Sequence, residues 1–304
     1  MSKQSALKTA LVITTYNQPE FLELALETAL RQKLAPYEII VADDGSKEET
    51  ERVVREAAKK SSITIKHVWQ EDLGFRLDHS RNNAIAVAEA DYLILIDGDC
   101  FLGDYFIHDH VRFARPGRYV AGTRGNIDRE LRKKILETRS TKVGFFTKGT
   151  SKKFNLIRSL PLAMLLSRDK PEKQSETSAL ATWRLGVAGA NLAFFRSDAE
   201  KVNGFNELMT YHGGNDQEFC ARLDHSGVRR FKMYHYGANY HFKHDPHTHS
   251  FIPRNEVLTP TSPEYLASVD EMQTRCLDAF GLTRALAQKQ APVEVEGMYQ
   301  RFVF

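Results

Sequence analysis

Near its start the chain alternates short apolar runs with longer segments in which apolar residues recur every three or four positions. The short runs are typical of buried strands, and the longer segments are typical of amphipathic helices. Strands are therefore predicted at residues 10–15, 37–43, 62–69 and 91–97, and helices at residues 19–33, 47–60 and 80–89.

This alternation predicts an α/β fold with a mainly parallel, Rossmann-like sheet and helices on both of its faces. Ligands bind to such sheets beyond the carboxyl ends of the strands. Three of the four predicted strands end in polar residues, with the sequences TTYN at 14–17, DDGS at 43–46 and DGD at 97–99. The pattern therefore predicts a ligand site at one edge of the sheet.

The last of these strand ends carries Asp97 and Asp99, separated by Gly98. Two carboxylates so close repel each other unless a cation or a hydrogen-bond donor lies between them. A divalent ion that bridges phosphates prefers hard oxygen ligands and accepts one or two protein carboxylates. Turns are also rich in Asp and Gly, so the spacing alone leaves both a metal site and an acidic turn open.

A second acidic group lies in the segment GGNDQEF at residues 213–219. Its glycines permit a close approach of the backbone, and Asp216 and Glu218 follow at the start of a helix predicted from about residue 216 to 226. A helix amino terminus favours ionised carboxylates, and a carboxylate there can act as a general base toward a hydroxyl. Capping of the helix is the alternative explanation for Asp216.

The stretch after this helix is rich in histidine. Neutral imidazole is a common ligand for Mn and Zn, but the spacing differs from that of a zinc-protease pair, which also needs a Glu between its histidines. One histidine can complete an Asp-x-Asp site, and the others are expected in surface loops. The histidines concerned are His235, His241, His244, His247 and His249.

The composition of the chain indicates its cellular location. The 304 residues, 42% of them hydrophobic, can form one large core or two modest ones. No apolar run is long enough to cross a membrane, and the first residues lack the apolar core of a signal peptide. Three scattered cysteines suggest reduced thiols. A cytoplasmic location is therefore expected.

The net charge of +3 is unevenly distributed, because residues 129–173 contain thirteen Lys and Arg against four Asp and Glu. Such an excess suits an anionic surface or substrate, and peripheral contact with the inner face of a membrane is one option. A solvated basic insertion is the alternative. The surrounding residues, 126–181, show only weak helix patterns, at 131–138 and 155–166.

Taken in this order, four segments resemble the family 2 glycosyltransferases of the GT-A fold. LVITTYNQPEFLELALETALRQKLAPYEIIVADDGS is similar to the nucleotide-binding start of that family, and SRNNAIAVAEADYLILIDGDC to the stretch that leads into its Asp-x-Asp strand. VAGANLAFFRSDAEKVNGFNE and GGNDQEFCARL resemble acceptor and catalytic segments of chondroitin-polymerase-like and galactosyltransferase-like members. The resemblance covers roughly residues 10–99 and 186–244.

The resemblance implies a donor site for a nucleoside-diphosphate sugar, with UDP as the expected nucleotide. It implies that Thr14, Tyr16 and Asp44 line the nucleoside pocket, where Asp44 faces the base and Tyr16 stacks on it. It also implies that Arg81 lies near the donor phosphates or sugar.

The resemblance further implies a Mn²⁺ or Mg²⁺ cofactor that holds the donor diphosphate. Asp97 and Asp99 are its implied ligands, and Asp99 is the more direct of the two. His241 is the implied third ligand, with His244 as the alternative.

On the acceptor side, the resemblance implies that Asp216 is the catalytic base and that Gly214 and Asn215 contact the acceptor. The family often has Glu where this chain has Asn215, so a negative charge is lost there while hydrogen bonding is kept. The implied reaction is an inverting transfer of a sugar to a hydroxyl of a saccharide or lipid-linked saccharide. Cell-surface polysaccharide or lipopolysaccharide biosynthesis is the expected setting, and nucleic acid is not an expected partner.

The implied organisation has four parts. A nucleotide-sugar-binding half occupies residues 1–125, and a basic insertion occupies residues 126–182. The acceptor and catalytic half of the same GT-A domain follows at residues 183–250. A helical extension is expected at residues 251–304, where Ser262 as N-cap and Pro263 at the first helical position predict the start of a last helix.

Three other functions remain alternatives at this point. A sugar-nucleotide nucleotidyltransferase would use a similar sheet and metal, but TTYNQPE lacks the glycine-rich basic loop that such enzymes usually carry after the first strand. A non-catalytic carbohydrate-binding module would keep the fold and bind neither metal nor nucleotide. A zinc hydrolase built on the histidines would purify with tightly bound zinc.

Overall fold

The protein is described by a computed structural model that covers residues 7–143, 147–151, 168–169, 189–210, 214–233, 236–242 and 291–304. Its strands are β1 Thr9–Thr15, β2 Glu38–Asp43, β3 Thr64–Trp69, β4 Tyr92–Asp97, β5 Cys100–Leu102, β6 Arg118–Ala121, β7 Gly125–Ile127, β8 Arg168–Asp169, β9 Leu192–Phe195, β10 Arg229–Lys232, β11 Asn239–Phe242, β12 Glu294–Glu296 and β13 Tyr299–Val303. Its helices are α1 Pro19–Leu30, α2 Glu48–Lys59, α3 Leu77–Val87, α4 Phe106–Phe113, α5 Arg129–Thr138, α6 Arg196–Lys201 and α7 Asn215–His225.

The main sheet has the strand order β12-β13-β3-β2-β1-β4-β9-β6-β10-β8 among the described residues. Strands β1 to β4 are mutually parallel, and β9 runs antiparallel to both β4 and β6. The carboxyl ends of β1, β2, β4 and β6 therefore lie at the same edge as the amino end of β9. This arrangement confirms the predicted α/β class, and it brings the polar ends of β1, β2 and β4 to one edge.

The central strands are buried on both faces, which explains why they read as continuous apolar runs. Leu11 and Ile13 of β1 pack in the layer that contains α1 and α2, whereas Val12 packs in the opposite layer with α3 and α7. This alternation follows from the two-residue period of a strand. The rigid core thereby fixes the strand ends that carry the polar residues.

A smaller sheet with the order β5-β11-β7 lies beyond the end of β4. Its middle strand, β11, is antiparallel to β5 and parallel to β7, and this register places His241 opposite Cys100. The rings of Phe101 and Tyr240 stack with their centroids 5.2 Å apart. The small sheet therefore brings residues from three separate parts of the chain next to Asp99.

The final described residues correct one expectation. Residues 251–304 were expected to form a helical extension, but residues 291–304 contain the antiparallel hairpin β12–β13, which extends the main sheet beside β3. The physical reason is that β13 buries Tyr299 and Phe302 in the two core layers on either side of the sheet. The helix predicted from Ser262 lies outside the described residues.

The predicted basic insertion is described only in part. The weak helix pattern at 131–138 is confirmed as part of α5, where the Asp128 side chain caps the helix by accepting from the Leu131 amide at 2.9 Å. The pattern at 155–166 lies outside the described residues. No helix in the described ranges is long and apolar enough to span a bilayer.

Candidate active site

The Asp97-Gly98-Asp99 turn follows β4 and lies directly beside the end of β1. The Gly98 amide donates to the Thr14 carbonyl at 2.7 Å, and a Cβ atom at Gly98 would lie only 2.8 Å from that carbonyl oxygen. Glycine is therefore required for the close approach of the two strand ends. The Thr14 hydroxyl, which is buried, lies 3.4 Å from Asp97 Oδ1, so this residue helps to orient the carboxylate.

The potential metal ligands lie close together at this turn. Oxygen atoms of Asp97 and Asp99 and the Cys100 sulfur all lie within 4.8 Å of one another. His241 Nε2 lies 3.1 Å from Asp99 Oδ2, so the small sheet brings the predicted third ligand to the site. His244 and the histidines at 235, 247 and 249 lie outside the described residues.

These groups fit a hard divalent ion. Partial burial and the neighbouring Asp99 carboxylate raise the pKa of Asp97 above its ordinary value, as expected for two acids that share a site without a cation. Burial raises the pKa of the Cys100 thiol well above its ordinary value, so this thiol is a poor ligand. Asp97, Asp99 and His241 thus supply the ligand chemistry that suits Mn²⁺ or Mg²⁺.

Arg124, a residue that the sequence did not single out, also reaches Asp97. It follows β6, which is parallel to β4, and its Nη1 lies 3.2 Å from Asp97 Oδ2. About a third of each side chain in this pair is exposed. A lone Arg in a loop between short strands carries no sequence signal, and only the order of the strands places it here.

The Asp43-Asp44-Gly45-Ser46 turn forms a second part of the edge. Asp44 Oδ1 accepts from Gln70 Nε2 at 2.6 Å, and its Oδ2 accepts from the Arg76 amide at 2.9 Å. Burial raises the pKa of Asp44 to about 6, although these hydrogen bonds oppose the shift. Asp44 is therefore a buried carboxylate held by the segment that connects β3 to α3.

Tyr16 lies at the rim of this turn and is 41% exposed. Its hydroxyl donates to Asp72 Oδ2 at 2.9 Å, and Gly45, with φ +92°, packs so tightly on Asp72 that a Cβ there would lie 2.6 Å from the Asp72 backbone. The exposed face of the ring is available for stacking. The nucleoside roles of Thr14, Tyr16 and Asp44 remain predictions.

Asp216 lies in the first turn of α7, after Gly214, whose φ is +86°. Its Oδ2 accepts from the Gly189 amide at 2.7 Å, and its Oδ1 lies 3.1 Å from Arg81 Nη1. A Cβ at Gly189 would lie 2.4 Å from the carboxylate, so the contact requires glycine. The Asp216 carboxylate is thus fixed at the same edge of the sheet as Asp97, and it contributes to the raised pKa of Asp97.

Arg81 is held by acidic residues, and its predicted place near the donor phosphates or sugar stays a prediction. Its side chain is only 3% exposed, forms ion pairs with both Asp78 and Asp216 at 3.1 Å, and lies over the Phe205 ring. Although burial lowers the pKa of a guanidinium, the Asp216 and Asp78 carboxylates raise the pKa of Arg81. The guanidinium therefore lies behind the site, where it positions Asp216.

Asn215, the predicted acceptor contact, is also turned inward. It is buried, and its Nδ2 donates to Asp78 Oδ2 at 2.7 Å. Burial raises the pKa of Asp78 to about 7, while Arg81 and Asn215 oppose this shift. This geometry favours a structural contact between α3 and α7 for Asn215, and a contact of Gly214 with an acceptor remains a prediction.

The two acidic residues at the start of α7, Asp216 and Glu218, have different environments. Glu218 forms a bidentate ion pair with Arg222, at 2.6 and 2.7 Å, and both side chains are buried. This pair ties the helix to the Gly204 carbonyl. Asp216, which is 22% exposed, is the carboxylate that remains accessible for chemistry.

Two family models match successive parts of the chain. The model described as "Glycosyl transferase family 2" matches residues 10–173, and the model described as "N-terminal domain of galactosyltransferase" matches residues 174–245. The chain belongs to glycosyltransferase family 2. The ranges include Asp44, Asp97 and Asp99 in the first match, and Asp216 in the second.

Curated relatives of this family 2 chain include polysaccharide synthases. The chain is 28% identical over 238 residues to chondroitin synthase of Escherichia coli, covering 72% of this chain and 32% of that protein. It is 30% identical over 230 residues to validoxylamine A glucosyltransferase of Streptomyces hygroscopicus subsp. limoneus, covering 72% of this chain and 48% of that protein. The chain thus spans less than half of the length of either relative.

Solved structures show the same fold. S. aureus TarS in complex with UDP superimposes with a TM-score of 0.53 at 14% identity, over 93% of this chain and 71% of that chain. The mannosyltransferase PcManGT from Pyrobaculum calidifontis, in complex with GDP-Man and Mn²⁺, gives 0.52 at 14% identity, over 95% of this chain and 77% of that chain. These likenesses confirm the GT-A fold of the family 2 domain.

Proposed function

We propose that this family 2 chain catalyses the inverting transfer of a sugar from a nucleoside-diphosphate sugar, with UDP as the nucleotide, to a hydroxyl of a saccharide or lipid-linked saccharide. The observation that carries the proposal is the convergence of two sets of groups at one sheet edge. Asp97 and Asp99 form a cluster of hard ligands, and Asp216 is fixed nearby by Arg81 and Gly189. A role in cell-surface polysaccharide or lipopolysaccharide synthesis is supported by relatives such as chondroitin synthase.

The donor side of the proposed site is the edge formed by β1, β2 and β4. Tyr16 offers an exposed ring to the base, and Asp44 offers a carboxylate whose position is fixed by Gln70 and Arg76. Asp97, Asp99 and His241 would hold Mn²⁺ or Mg²⁺. When bound, such an ion acts as a Lewis acid that neutralises charge on the departing nucleoside diphosphate.

On the acceptor side, Asp216 is the proposed general base. It removes the proton from the acceptor hydroxyl, whose oxygen attacks the anomeric carbon while the bond from that carbon to the diphosphate breaks. The electron pair of the broken bond leaves with the nucleoside diphosphate. A single displacement of this kind inverts the anomeric configuration. Positioning of Asp216 by Arg81 and Gly189 supports this role because a base must be held within hydrogen-bonding reach of its proton.

The basic segment supports a finer proposal about the acceptor. Helix α5 exposes Arg129, Lys133 and Lys134, and each Lys or Arg near an anionic membrane contributes about 1 kcal/mol of attraction. We propose a peripheral contact with the inner face of a membrane that carries a lipid-linked acceptor. Sedimentation with vesicles that contain or lack an anionic phospholipid, at physiological salt, tests this contact, and equal binding to both kinds of vesicle would count against it.

The proposed reaction is tested first by donor binding. We expect UDP or a UDP-sugar to raise the melting temperature only when Mn²⁺ or Mg²⁺ is present, and an Asp97→Asn, Asp99→Asn double variant to lose this shift. Asp104→Asn, which changes an exposed carboxylate paired with Arg31, is the control. Absence of any nucleotide effect in the unchanged protein would favour a non-catalytic module, and transfer with retained configuration would contradict the single displacement.

A further inference from the structure

The hairpin β12–β13 lies outside both ranges that the family models match, which end at residue 245. Nevertheless it belongs to the main sheet, because β13 pairs in parallel with β3 from Tyr299 opposite Ile65 to Val303 opposite Trp69. Strand β3 in turn pairs with β2, whose carboxyl end carries the turn of residues 43–46. A single strand, β3, therefore separates the hairpin from the strand that carries this turn.

A buried chain of hydrogen bonds connects the hairpin to this turn. The Tyr299 hydroxyl lies 3.3 Å from His67 Nδ1, and His67 Nε2 lies 2.8 Å from Asp43 Oδ2. The side chains of His67 and Asp43 are no more than 1% exposed, and Tyr299 is 2% exposed. The two ring nitrogens of His67 therefore have one partner each, Asp43 Oδ2 at Nε2 and the Tyr299 hydroxyl at Nδ1.

Asp43 connects this chain of hydrogen bonds to the turn. Its second carboxylate oxygen, Oδ1, accepts from the Ser46 amide at 2.8 Å. The Ser46 hydroxyl then accepts from the Asn17 amide at 2.8 Å, which joins the turn to the loop after β1. Asp44 lies within this closed turn, so its position depends on the orientation of Asp43.

A second connection runs along the end of the hairpin. The Phe304 amide donates to the Trp69 carbonyl at 3.0 Å, and Trp69 Nε1 donates to the Ser46 carbonyl at 2.9 Å. The hairpin therefore reaches both the amide and the carbonyl of Ser46 through independent routes. Ion pairs hold the hairpin on α2, since Arg301 pairs with Glu51 at 2.7 Å and Glu294 pairs with Arg55.

We propose that Tyr299 is a positioning residue of the donor site, which acts through His67 and Asp43 on the turn that carries Asp44. The inference rests on the proposed function in its claim that this turn binds the nucleoside. Without the Tyr299 hydroxyl, His67 Nδ1 loses its buried hydrogen-bond partner and the ring is free to change its orientation. The Asp43 carboxylate then loses the contact that fixes it relative to Ser46.

The test compares Tyr299→Phe with Phe302→Leu. Phe302 lies in the same strand and packs in the opposite core layer, so its variant weakens the hairpin without touching His67. Loss of one hydrogen bond corresponds to roughly a 2- to 10-fold change in an equilibrium constant. We expect Tyr299→Phe to weaken binding of UDP and Mn²⁺ by about this factor in calorimetry, to raise donor KM, and to leave kcat at saturating donor unchanged.

Hydrogen exchange at the Ser46 amide gives a readout that needs no nucleotide. Tyr299→Phe should accelerate this exchange, whereas Phe302→Leu should not. A His67→Gln variant should weaken binding too, and adding Tyr299→Phe to it should cause no further loss, because the two residues act in series.

Equal effects of Tyr299→Phe and Phe302→Leu on nucleotide affinity, or unchanged exchange at Ser46 in Tyr299→Phe, would overturn the inference. If the unchanged protein binds neither UDP nor GDP, the proposed function fails, and the exchange measurement still decides whether Tyr299 positions the turn.

Discussion

Asp44 and Asp216 lie at the same edge of the sheet but are held in different ways. Asp44 accepts hydrogen bonds from Gln70 and from the Arg76 amide, which both belong to the segment between β3 and α3. Asp216 is held by the amide of Gly189 and by Arg81, a buried guanidinium of the neighbouring helix α3. The proposed donor side thus relies on uncharged partners, and the proposed catalytic side on a buried network of charges.

The difference has an energetic consequence. Neutral hydrogen bonds each contribute modestly, typically about 1 kcal/mol net. A buried ion pair contributes little to stability as a whole, yet removing one partner costs about 3–5 kcal/mol because the other charge stays buried. We therefore expect the catalytic side to tolerate substitution less well than the donor side.

The largest expected effect is on Asp216. Asp216→Asn keeps the shape and the acceptor for the Gly189 amide but removes the base, so transfer should fall by about 10²–10⁴-fold. Donor binding should change little because the donor side is held separately. Single-turnover transfer and calorimetry with UDP measure the two quantities, with Asp224→Asn, at the other end of α7, as the control. Normal turnover of Asp216→Asn would refute the assignment of the base.

The second largest effect should be a loss of stability when the contact between α3 and α7 is changed. Asn215→Asp places a second carboxylate 2.7 Å from Asp78, and we expect the free energy of unfolding to fall by roughly 3 kcal/mol at pH 8. The loss should be smaller at pH 5, where one of the two carboxyls binds a proton. Urea unfolding of the unchanged protein and of Asn215→Asp at both pH values measures the two differences in the free energy of unfolding.

The combined variant Asp78→Asn, Asn215→Asp tests whether the stability lost in Asn215→Asp comes from the two facing carboxylates. It restores one amide opposite one carboxylate, and it should recover part of the lost stability. An unchanged stability in Asn215→Asp at pH 8 would mean that the contact does not hold the two helices together.

On the proposed donor side, we expect the free energy of unfolding to change with pH by no more than it changes in Asn215→Asp. The pKa of Asp44 is about 6 in the folded protein against 3.8 in the ordinary case, so the folded state binds the extra proton between these values. The contribution of Asp44 to stability therefore falls as pH rises from about 4 to 6, by about 3 kcal/mol. In Asp44→Asn this part of the decline should be missing, whereas Asp104→Asn should keep it; parallel pH curves for both variants would contradict the expectation.

The smallest effect should appear at Arg124. Its exposed pair with Asp97 is worth about 0.2–1 kcal/mol, so Arg124→Gln should free Asp97 and tighten Mn²⁺ binding by up to about five-fold. Arg31→Gln, which breaks an exposed pair elsewhere, should leave the affinity unchanged. Weaker Mn²⁺ binding in Arg124→Gln would show instead that Arg124 helps to assemble the ligands.

Local patterns in the sequence were enough to predict the parallel sheet and the residues at its edge. Continuous apolar runs are local properties, so they identified β1 to β4, and the polar ends of these strands identified Asp44, Asp97 and Asp99. Such patterns also identified α7 and Asp216. The family resemblance placed Arg81 near the donor, whereas only the structure showed that its side chain is buried and paired with Asp78 and Asp216.

The tertiary structure sets the partners of these residues. Gly189, Arg124 and Tyr299 reach the site only because β9, β6 and β13 are inserted into the sheet next to strands that are distant in the chain. It also turned Asn215 inward to Asp78 and separated accessible Asp216 from buried Glu218. The physical reason is that burial and charge pairing depend on which elements pack together, whereas periodicity records only which face of each element is apolar.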